Sequence, residues 1–252
     1  MTQFRIDAPA AAVIALIGLS VTPAVEAFAE TIVIYGASGR VGGIIVDEAL
    51  MRGHDVYGIS RNPDGLENDH ENFTALEGDV TVLESMLTVI ERADPDVVIF
   101  AVRAIGPENT PDVAVTSIAA RTFLEAAEIL GDDTPRVVQV SGGGTLWDKG
   151  VWLLEDPALV PGTARHANMF GHWQAIQAYE ASQGVTWTVM TPPTGTMTPG
   201  ERTGAYRLAL EHMLYDRNDS SAISTQDFAV AVIDEAETSV ASGKRVAVGP
   251  IY

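Results

Sequence analysis

Three glycines at three-residue spacing, Gly36, Gly39 and Gly42, form the motif with the clearest chemical meaning in this sequence. They follow a short β-branched run, Thr31 to Tyr35, and precede a stretch with helical character. Between a strand and a helix, glycines permit a tight turn and let backbone amides approach a pyrophosphate, which the helix N-terminus also attracts. The motif therefore predicts a dinucleotide-binding site. The alternative is that the glycines serve only a sharp turn.

The end of the second predicted strand indicates which dinucleotide binds. Enzymes that use NAD place an Asp or Glu there to accept the ribose hydroxyls. Here the segment from Gly58 to Pro63 contains no carboxylate and offers Ser60 and Arg61 instead. Arg40, inside the glycine-rich turn, supplies a second guanidinium, and guanidinium groups pair well with phosphate. We therefore expect NADPH as the cofactor, with Arg61 and Arg40 facing its 2′-phosphate.

Fewer residues are candidates for the chemistry beside the cofactor. Ser141 ends a predicted strand and could donate a hydrogen bond to a carbonyl, and either His166 or His172 could donate a proton to a substrate. Each could equally be an ordinary structural residue. Their spacing of six residues places the two histidines well apart around a helix, so we do not expect both to face one small site. No third ligand stands at helical spacing, and no metal site is predicted.

Two further observations concern the acceptor. A Tyr-x-x-x-Lys pair, in which the lysine lowers the pKa of the tyrosine so that it can act as a base, is missing, because Lys149 and Lys244, the lysines of the chain, do not follow a tyrosine at that spacing. Oxidation of ordinary secondary alcohols is therefore not expected. Trp147 and Trp152, after the fifth predicted strand, could stack on a flat substrate or could simply pack together.

The elements that position these residues alternate between short apolar strands and helices from Glu30 onward, which is typical of βαβ units. The predicted fold is α/β: a Rossmann-type, doubly wound, mainly parallel sheet with helices on both faces, in one domain spanning 30–252. Strands are predicted at 31–35, 55–60, 73–76, 96–102, 136–141, 185–191 and 245–248. Helices are predicted at 41–52, from about 81, at 111–130, at 164–182 and from 224. The segment from Pro192 to Asn218 is predicted to be irregular.

Composition limits the remaining possibilities. The net charge of −19 argues against nucleic-acid binding, which needs a basic face, and the lack of cysteine excludes disulfides and thiolate metal sites. Residues 1–29 contain the apolar run Ala10 to Val21 and then Ala27-Phe-Ala29, which resembles a signal peptide with its cleavage site and is too short for a stable membrane span. We expect a periplasmic or secreted protein if this signal is real. The alternative is a cytoplasmic protein with an N-terminal extension, and the oligomeric state, monomer or homodimer, stays open.

Several motifs together resemble a known group of proteins. The turn GASGRVG, the SRNP segment at 60–63, GDV at 78–80 and VSG at 140–142 resemble atypical short-chain dehydrogenases/reductases. TWTVMTPP at 186–193, PGERTGAYRL at 199–208 and ISTQDFAVAVIDE at 223–235 look like the NAD(P)H-binding family related to biliverdin reductase B, a flavin reductase. The resemblance covers residues 31–252. It is informative about the family and much less so about the substrate.

The resemblance implies roles for individual residues. Gly36, Ser38, Gly39, Arg40 and Val41 would bind the pyrophosphate and ribose, and Arg61 the 2′-phosphate. Ala101 and Val102 would line the nicotinamide side, Ser141 would lie near the ring, and Pro192 and Pro193 would close over it. From its position after the third strand, the segment Gly78-Asp79-Val80 would border the adenine, with a simple turn as the alternative.

These features lead to a functional hypothesis with one main rival. A flavin, quinone or conjugated enone accepts hydride readily when it is held close in an apolar cleft, and solvent can supply the proton. We therefore expect an NADPH-dependent reductase of a planar or conjugated small molecule. The rival is a non-catalytic NADP-binding redox sensor or scaffold. An epimerase or dehydratase would also need the Tyr–Lys pair.

Overall fold

The computed structural model describes residues 29–103, 114–194 and 197–252. In this part of the chain, one large sheet carries helices on both faces. The large sheet contains β1 (Thr31–Tyr35), β2 (Asp55–Ser60), β3 (Phe73–Glu77), β4 (Val97–Phe100), β5 (Arg136–Val140), β8 (Trp187–Thr191), β10 (Arg207–Leu210) and β12 (Lys244–Gly249). The short strands are β6 (Trp147–Asp148), β7 (Val151–Trp152), β9 (Met197–Thr198) and β11 (Ile223–Ser224). The helices are α1 (Arg40–Met51), α2 (Leu83–Ala93), α3 (Val115–Leu130), α4 (Ala164–Ala181) and α5 (Thr225–Thr238).

The order of the strands creates a switch point in the middle of the sheet. The order is β10-β12-β8-β5-β4-β1-β2-β3, and all neighbours are parallel except β10, which runs antiparallel to β12. From β1 the chain winds outward through β2 and β3, then returns to β4 on the other side of β1. The carboxyl ends of β1 and β4 therefore face a crevice between two connections that diverge, which is where doubly wound sheets bind ligands.

Burial of the sheet on both faces explains why its central strands are continuous apolar runs. On one face, Ile32 and Ile34 of β1 pack with α1 and α5 through residues such as Ile45 and Phe228. On the other face, Val33 packs with α2, α3 and α4 through residues such as Phe123 and Ile176. Alternation along one strand thus supplies both cores.

Most predicted elements are confirmed, with boundaries that differ by a few residues. The prediction for 192–218 is wrong, because this segment contains β9 and the antiparallel edge strand β10. β10 has only four half-buried residues, and its partner β12 lies far along the chain, so no local pattern reveals it. The loop after β5 likewise contains a small antiparallel hairpin, β6 and β7.

Two predictions fall partly outside the described residues. The proposed signal segment 1–29 is represented only by Ala29, and residues 111–113 of the predicted third helix are not described. Among the described residues, no helix is long and apolar enough to cross a membrane.

The N-terminus of α5 is capped by Ser224, whereas the acidic residue of its first turn, Asp227, binds another segment. The Ser224 hydroxyl accepts a hydrogen bond of 2.9 Å from the Asp227 amide, as in a capping box. The Asp227 carboxylate, by contrast, accepts bonds from the amides of Thr203 and Gly204, at 2.7 and 2.8 Å. Asp227 thereby fixes the loop before β10 to α5.

Candidate functional site

The glycine-rich turn after β1 leaves no room for side chains. The Gly39 amide donates to the Gly36 carbonyl at 2.8 Å, and Gly36 has a φ of +84°. A Cβ on Gly36 would lie 2.6 Å from the Ala101 carbonyl oxygen at the end of β4. A Cβ on Gly42 would lie only 2.0 Å from the Gly36 carbonyl oxygen. Glycine is therefore required at 36 and 42 by close backbone approach at the switch point.

The turn presents the N-terminus of α1 to this crevice. Gly39 is the N-cap residue, no side chain caps the helix, and the first turn contains no acidic residue. The first helical amides of α1 are thus not covered by a side chain of the described protein, and the helix dipole favours an anion there. Arg40, exposed at the first helical position, adds positive charge.

A cavity of about 410 Å³, here called the turn cavity, opens beside this turn. Arg61 is exposed at its edge, and the Ser60 hydroxyl accepts a bond of 3.2 Å from the Asn62 amide, which leaves the hydroxyl hydrogen free to donate. The candidate residues that line the turn cavity are Gly36, Ser38, Gly39, Arg61, Asp79, Val80, Ala101 and Val102.

In the turn cavity, Asp79 offers hydrogen-bond acceptors and Tyr35 offers a hydrogen-bond donor. Partial burial works to raise the pKa of Asp79, but bonds from the Thr81 hydroxyl and amide and the Arg61 charge lower it, so Asp79 stays ionised. Burial and the nearby Asp79 charge raise the pKa of Tyr35, which therefore stays neutral. Its buried hydroxyl has no partner among the described residues.

A second cavity of about 430 Å³, here called the α4 cavity, adjoins the first. Ala101, Val102 and Arg103, after β4, line both cavities and thus join them at the switch point. The α4 cavity is walled by the loop 141–144, by one face of α4 and by the segment 192–194. Candidate residues that line it are Arg40, Val41, Ala101, Val102, Ser141, His172, Pro192 and Pro193.

Buried polar atoms without partners mark the inner end of the α4 cavity. Ser141 Oγ, His172 Nδ1 and Asn168 Oδ1 accept or donate no hydrogen bond within the described protein. The three residues are 5%, 4% and 2% exposed, respectively. An unpartnered buried polar atom is costly, and three of them in one cavity indicate a ligand that supplies the partners.

The imidazole of His172 is neutral at physiological pH. Burial, reinforced by the Arg103 guanidinium, lowers the pKa of His172 to about 4. A neutral imidazole can donate one N–H hydrogen bond but is not a reservoir of protons at pH 7. His172 can therefore form hydrogen bonds in the cavity, but it is not expected to donate a proton to a substrate at pH 7.

The structure does not bring every candidate to the cavities. His166 lines neither cavity and stacks on Phe170, with ring centroids 4.4 Å apart. Trp147 and Trp152 also lie outside both linings and stack on each other, with centroids 6.2 Å apart. Trp152 packs further against Trp173. Trp147 and Trp152 thus pack together and do not line either cavity.

Several residues that line the α4 cavity were not among the candidates from the sequence. Arg165, Asn168 and Met169 lie on the same face of α4 as His172, at the i, i+3, i+4, i+7 spacing of one helical face. This spacing was available in the sequence as a signal, but polar residues at such spacing are usually solvent-exposed. Arg103 was missed because nothing in the strand pattern marks the first residues after β4.

The described residues of the α4 cavity include neither tyrosine nor lysine. Tyr179, the tyrosine of α4, is buried away from it and donates to Gln139 Oε1 at 2.9 Å. Lys149 pairs with Asp219 on the surface. The described lining of the α4 cavity thus offers no Tyr–Lys pair, whatever the spacing of the two residues in sequence.

Comparisons with known proteins agree with this geometry. The chain is 30% identical to the uncharacterized protein YwnB of Bacillus subtilis over 210 residues, 81% of this chain and 91% of that protein. A structure of a proposed epimerase from Bacteroides thetaiotaomicron is 28% identical, covers 89% of this chain and 98% of its own, and has a TM-score of 0.76. A proposed NADH-flavin reductase from Streptococcus pneumoniae, 24% identical, covers 88% and 100% with a TM-score of 0.69 and shares the fold.

The family assignment rests on a match to a family model. A model of the family described as NAD(P)H-binding matches residues 36–237, from the first glycine of the turn to the end of α5. This match confirms the resemblance to atypical short-chain dehydrogenases/reductases that bind a nicotinamide dinucleotide. By its sequence and its fold, the chain belongs to the NAD(P)H-binding family.

Proposed function

We propose that this protein is an NADPH-dependent reductase that delivers hydride to a planar or conjugated small-molecule acceptor. The observation that carries the proposal is the α4 cavity, which meets the turn cavity at Ala101–Arg103 and contains the unpartnered polar atoms of Ser141 and His172. A protein that only senses a dinucleotide has no need for a second cavity of about 430 Å³ with buried hydrogen-bonding groups.

The turn cavity fits NADPH by its shape and charge. The backbone approach at Gly36 and Gly42 and the uncapped N-terminus of α1 would hold the pyrophosphate. Ser60 and Arg61, at the end of β2, would hold the 2′-phosphate, where an NAD site would have a carboxylate. Asp79, ionised and joined to Thr81, would border the adenine.

In the α4 cavity, the chain supplies binding and hydrogen bonds instead of an acid–base pair. When bound, the reduced nicotinamide supplies the hydride. Ser141 and neutral His172 would donate hydrogen bonds to an acceptor oxygen or nitrogen, which stabilises the negative charge that develops there. Solvent would supply the proton, since His172 is not charged at pH 7. An acceptor that is already electrophilic needs no more than this.

The same cavity separates this proposal from its rivals. An epimerase, the activity proposed for the Bacteroides relative, must remove and return a proton, and the described lining of the cavity contains no tyrosine or lysine to do so. A redox sensor remains the rival, because it also needs the turn cavity. The two differ in the α4 cavity, because in a sensor no molecule bound there accepts hydride.

The decisive experiment measures NADPH oxidation with a flavin, a quinone and a conjugated enone as acceptors. We expect turnover with at least one acceptor. The double variant Ser141→Ala/His172→Gln should lower kcat by roughly 10²-fold, a typical cost for lost hydrogen-bond donors. NADPH binding to this variant, measured by fluorescence, should change little. Tight NADPH binding without turnover of any acceptor would establish the sensor instead.

Export is a separate proposal that rests on the apolar run Ala10 to Val21 and the Ala27-Phe-Ala29 segment. N-terminal sequencing of protein from the native host tests it. A mature chain that begins near Glu30 supports export, and an intact Met1 in the cytosolic fraction contradicts it.

A further inference from the structure

One face of α4 lines the α4 cavity and carries both polar and apolar residues. It begins at Arg165, in the first turn of the helix, and ends at the buried His172. Asn168 and Met169 lie between them on the same face. At 1.5 Å per residue, the seven steps from Arg165 to His172 correspond to about 10 Å along the helix axis.

The positive charge on this face of α4 is unusual for so acidic a protein. The chain carries a net charge of −19, and several of its arginines are consumed in ion pairs, including Arg52, Arg202 and Arg245. Arg165 is exposed and forms no ion pair with any described residue. The carboxylate in the described cavity lining belongs to Asp156, which accepts a bond from the Ala158 amide at 2.8 Å and does not pair with Arg165.

The other cavity arginines have a partner in the proposed cofactor, and Arg165 does not. Arg61 lines the turn cavity, Arg40 begins α1 beside the pyrophosphate position, and Arg103 lines both cavities. Arg40 and Arg165 both line the α4 cavity and not the turn cavity, but Arg165 belongs to the first turn of α4 and not to the glycine-rich turn. Its guanidinium is thus available to a molecule that enters from the acceptor side.

We propose that the acceptor carries an anionic group, a carboxylate or a phosphate, which Arg165 binds, while the reducible end of the acceptor meets Ser141 and, two helical turns further along α4, His172. This inference rests on the proposed function and specifies the substrate class of the same cavity. Between the two ends, Leu153, Leu159, Met169 and Met197 provide apolar contact for a flat body. The substrate class is therefore an elongated, conjugated anion.

The test compares charged and uncharged acceptors of the same shape. Binding to NADP⁺-saturated protein is measured for FMN against riboflavin, and for a naphthoquinone with a short carboxylate side chain against its methyl ester. The wild-type protein should bind the charged member of at least one pair roughly tenfold or more tightly, as expected for a charge-assisted bond. Arg165→Gln should remove this preference and leave binding of the uncharged member within about twofold. Arg165→Lys should restore part of it.

A matched variant controls for the general charge of the protein. Arg217→Gln removes an exposed arginine that lines neither cavity and should not change the preference. Loss in the FMN pair alone identifies a phosphate, and loss in the quinone pair alone identifies a carboxylate. No preference for either charged member, or a preference that survives Arg165→Gln, would overturn the inference. Because binding is measured without turnover, that result is separate from a failure of the proposed reductase activity.

Discussion

The turn cavity and the α4 cavity meet at Ala101–Arg103 but are built in different ways. The turn beside the turn cavity is fixed by close backbone contacts, since a Cβ at Gly36 or Gly42 would overlap a carbonyl oxygen. The α4 cavity is assembled from several segments distant in sequence, and polar atoms of Ser141, Asn168 and His172 in its lining have no partner among the described residues. Dinucleotide binding here thus depends on local backbone geometry, whereas the choice of the proposed acceptor would depend on residues that the fold brings together.

The largest effect is expected where the backbone cannot move. Gly42→Ala places a Cβ 2.0 Å from the Gly36 carbonyl oxygen, so the turn must open. We expect a loss of about 3 kcal/mol in the free energy of unfolding, and roughly 100-fold weaker NADPH binding, by the cost of overpacking a rigid site. Urea denaturation and fluorescence titration measure the two quantities.

The adjacent glycine provides the control. A Cβ on Gly43 would lie 3.4 Å from the Ala37 carbonyl oxygen, an ordinary contact, and Gly43 is inside α1. Gly43→Ala should therefore keep NADPH binding and gain about 0.5 kcal/mol of stability from helix propensity. Equal behaviour of the two variants would contradict a turn defined by backbone approach.

Burial of His172 in the wall of the α4 cavity should make the free energy of unfolding depend on pH. The pKa of His172 is about 4 in the folded protein against 6.5 for an unperturbed histidine, so the unfolded chain binds the proton more tightly. The stability linked to His172 is complete above pH 6.5 and is lost as the pH falls toward 4. The loss amounts to about 3 kcal/mol.

Comparison of wild type with His172→Gln isolates this contribution, because all other groups titrate in both proteins. Urea denaturation at pH 7 and pH 4.5 should show a fall in the free energy of unfolding that is about 2 kcal/mol larger for the wild type. An identical fall in both proteins would mean that His172 is not buried as a neutral group.

The side chains at the edge of the turn cavity should determine which dinucleotide binds. Arg61→Ala should weaken NADPH binding by roughly tenfold to 100-fold through loss of a charge-assisted bond. NADH binding should change by less than about twofold. Isothermal calorimetry with both cofactors measures this, and Arg92→Ala, an exposed arginine of α2 outside both cavities, is the control. Similar losses for NADPH and NADH would place the 2′-phosphate elsewhere.

The smallest effect is expected at a histidine that the sequence could not distinguish from His172. His166 stacks on Phe170 outside both cavities. His166→Ala should change kcat/KM for any acceptor that is turned over by less than about twofold, as for most surface substitutions. A loss comparable with that of the Ser141→Ala/His172→Gln variant would place His166 in the acceptor site.

Much of the fold and half of the site could be predicted because their signals are local. β1 and α1 are indicated by consecutive residues, and Gly36, Gly39 and Gly42 lie within one turn between them. The edge strand β10 escaped prediction because its four residues pair with β12, more than thirty residues away. The capping role of Ser224 was predictable, but the use of the Asp227 carboxylate by Thr203 and Gly204 was not.

The sequence by itself thus determined a doubly wound α/β chain with a dinucleotide turn, because strand, turn and helix signals are local. The tertiary structure decided which candidates meet: it buried Ser141, Asn168 and His172 around one cavity and left His166 outside. It also decided the protonation of His172, since burial and the Arg103 charge act only in the folded chain. The physical reason is that desolvation and side-chain convergence depend on residues far apart in sequence, whereas the geometry of a glycine-rich turn depends on its neighbours.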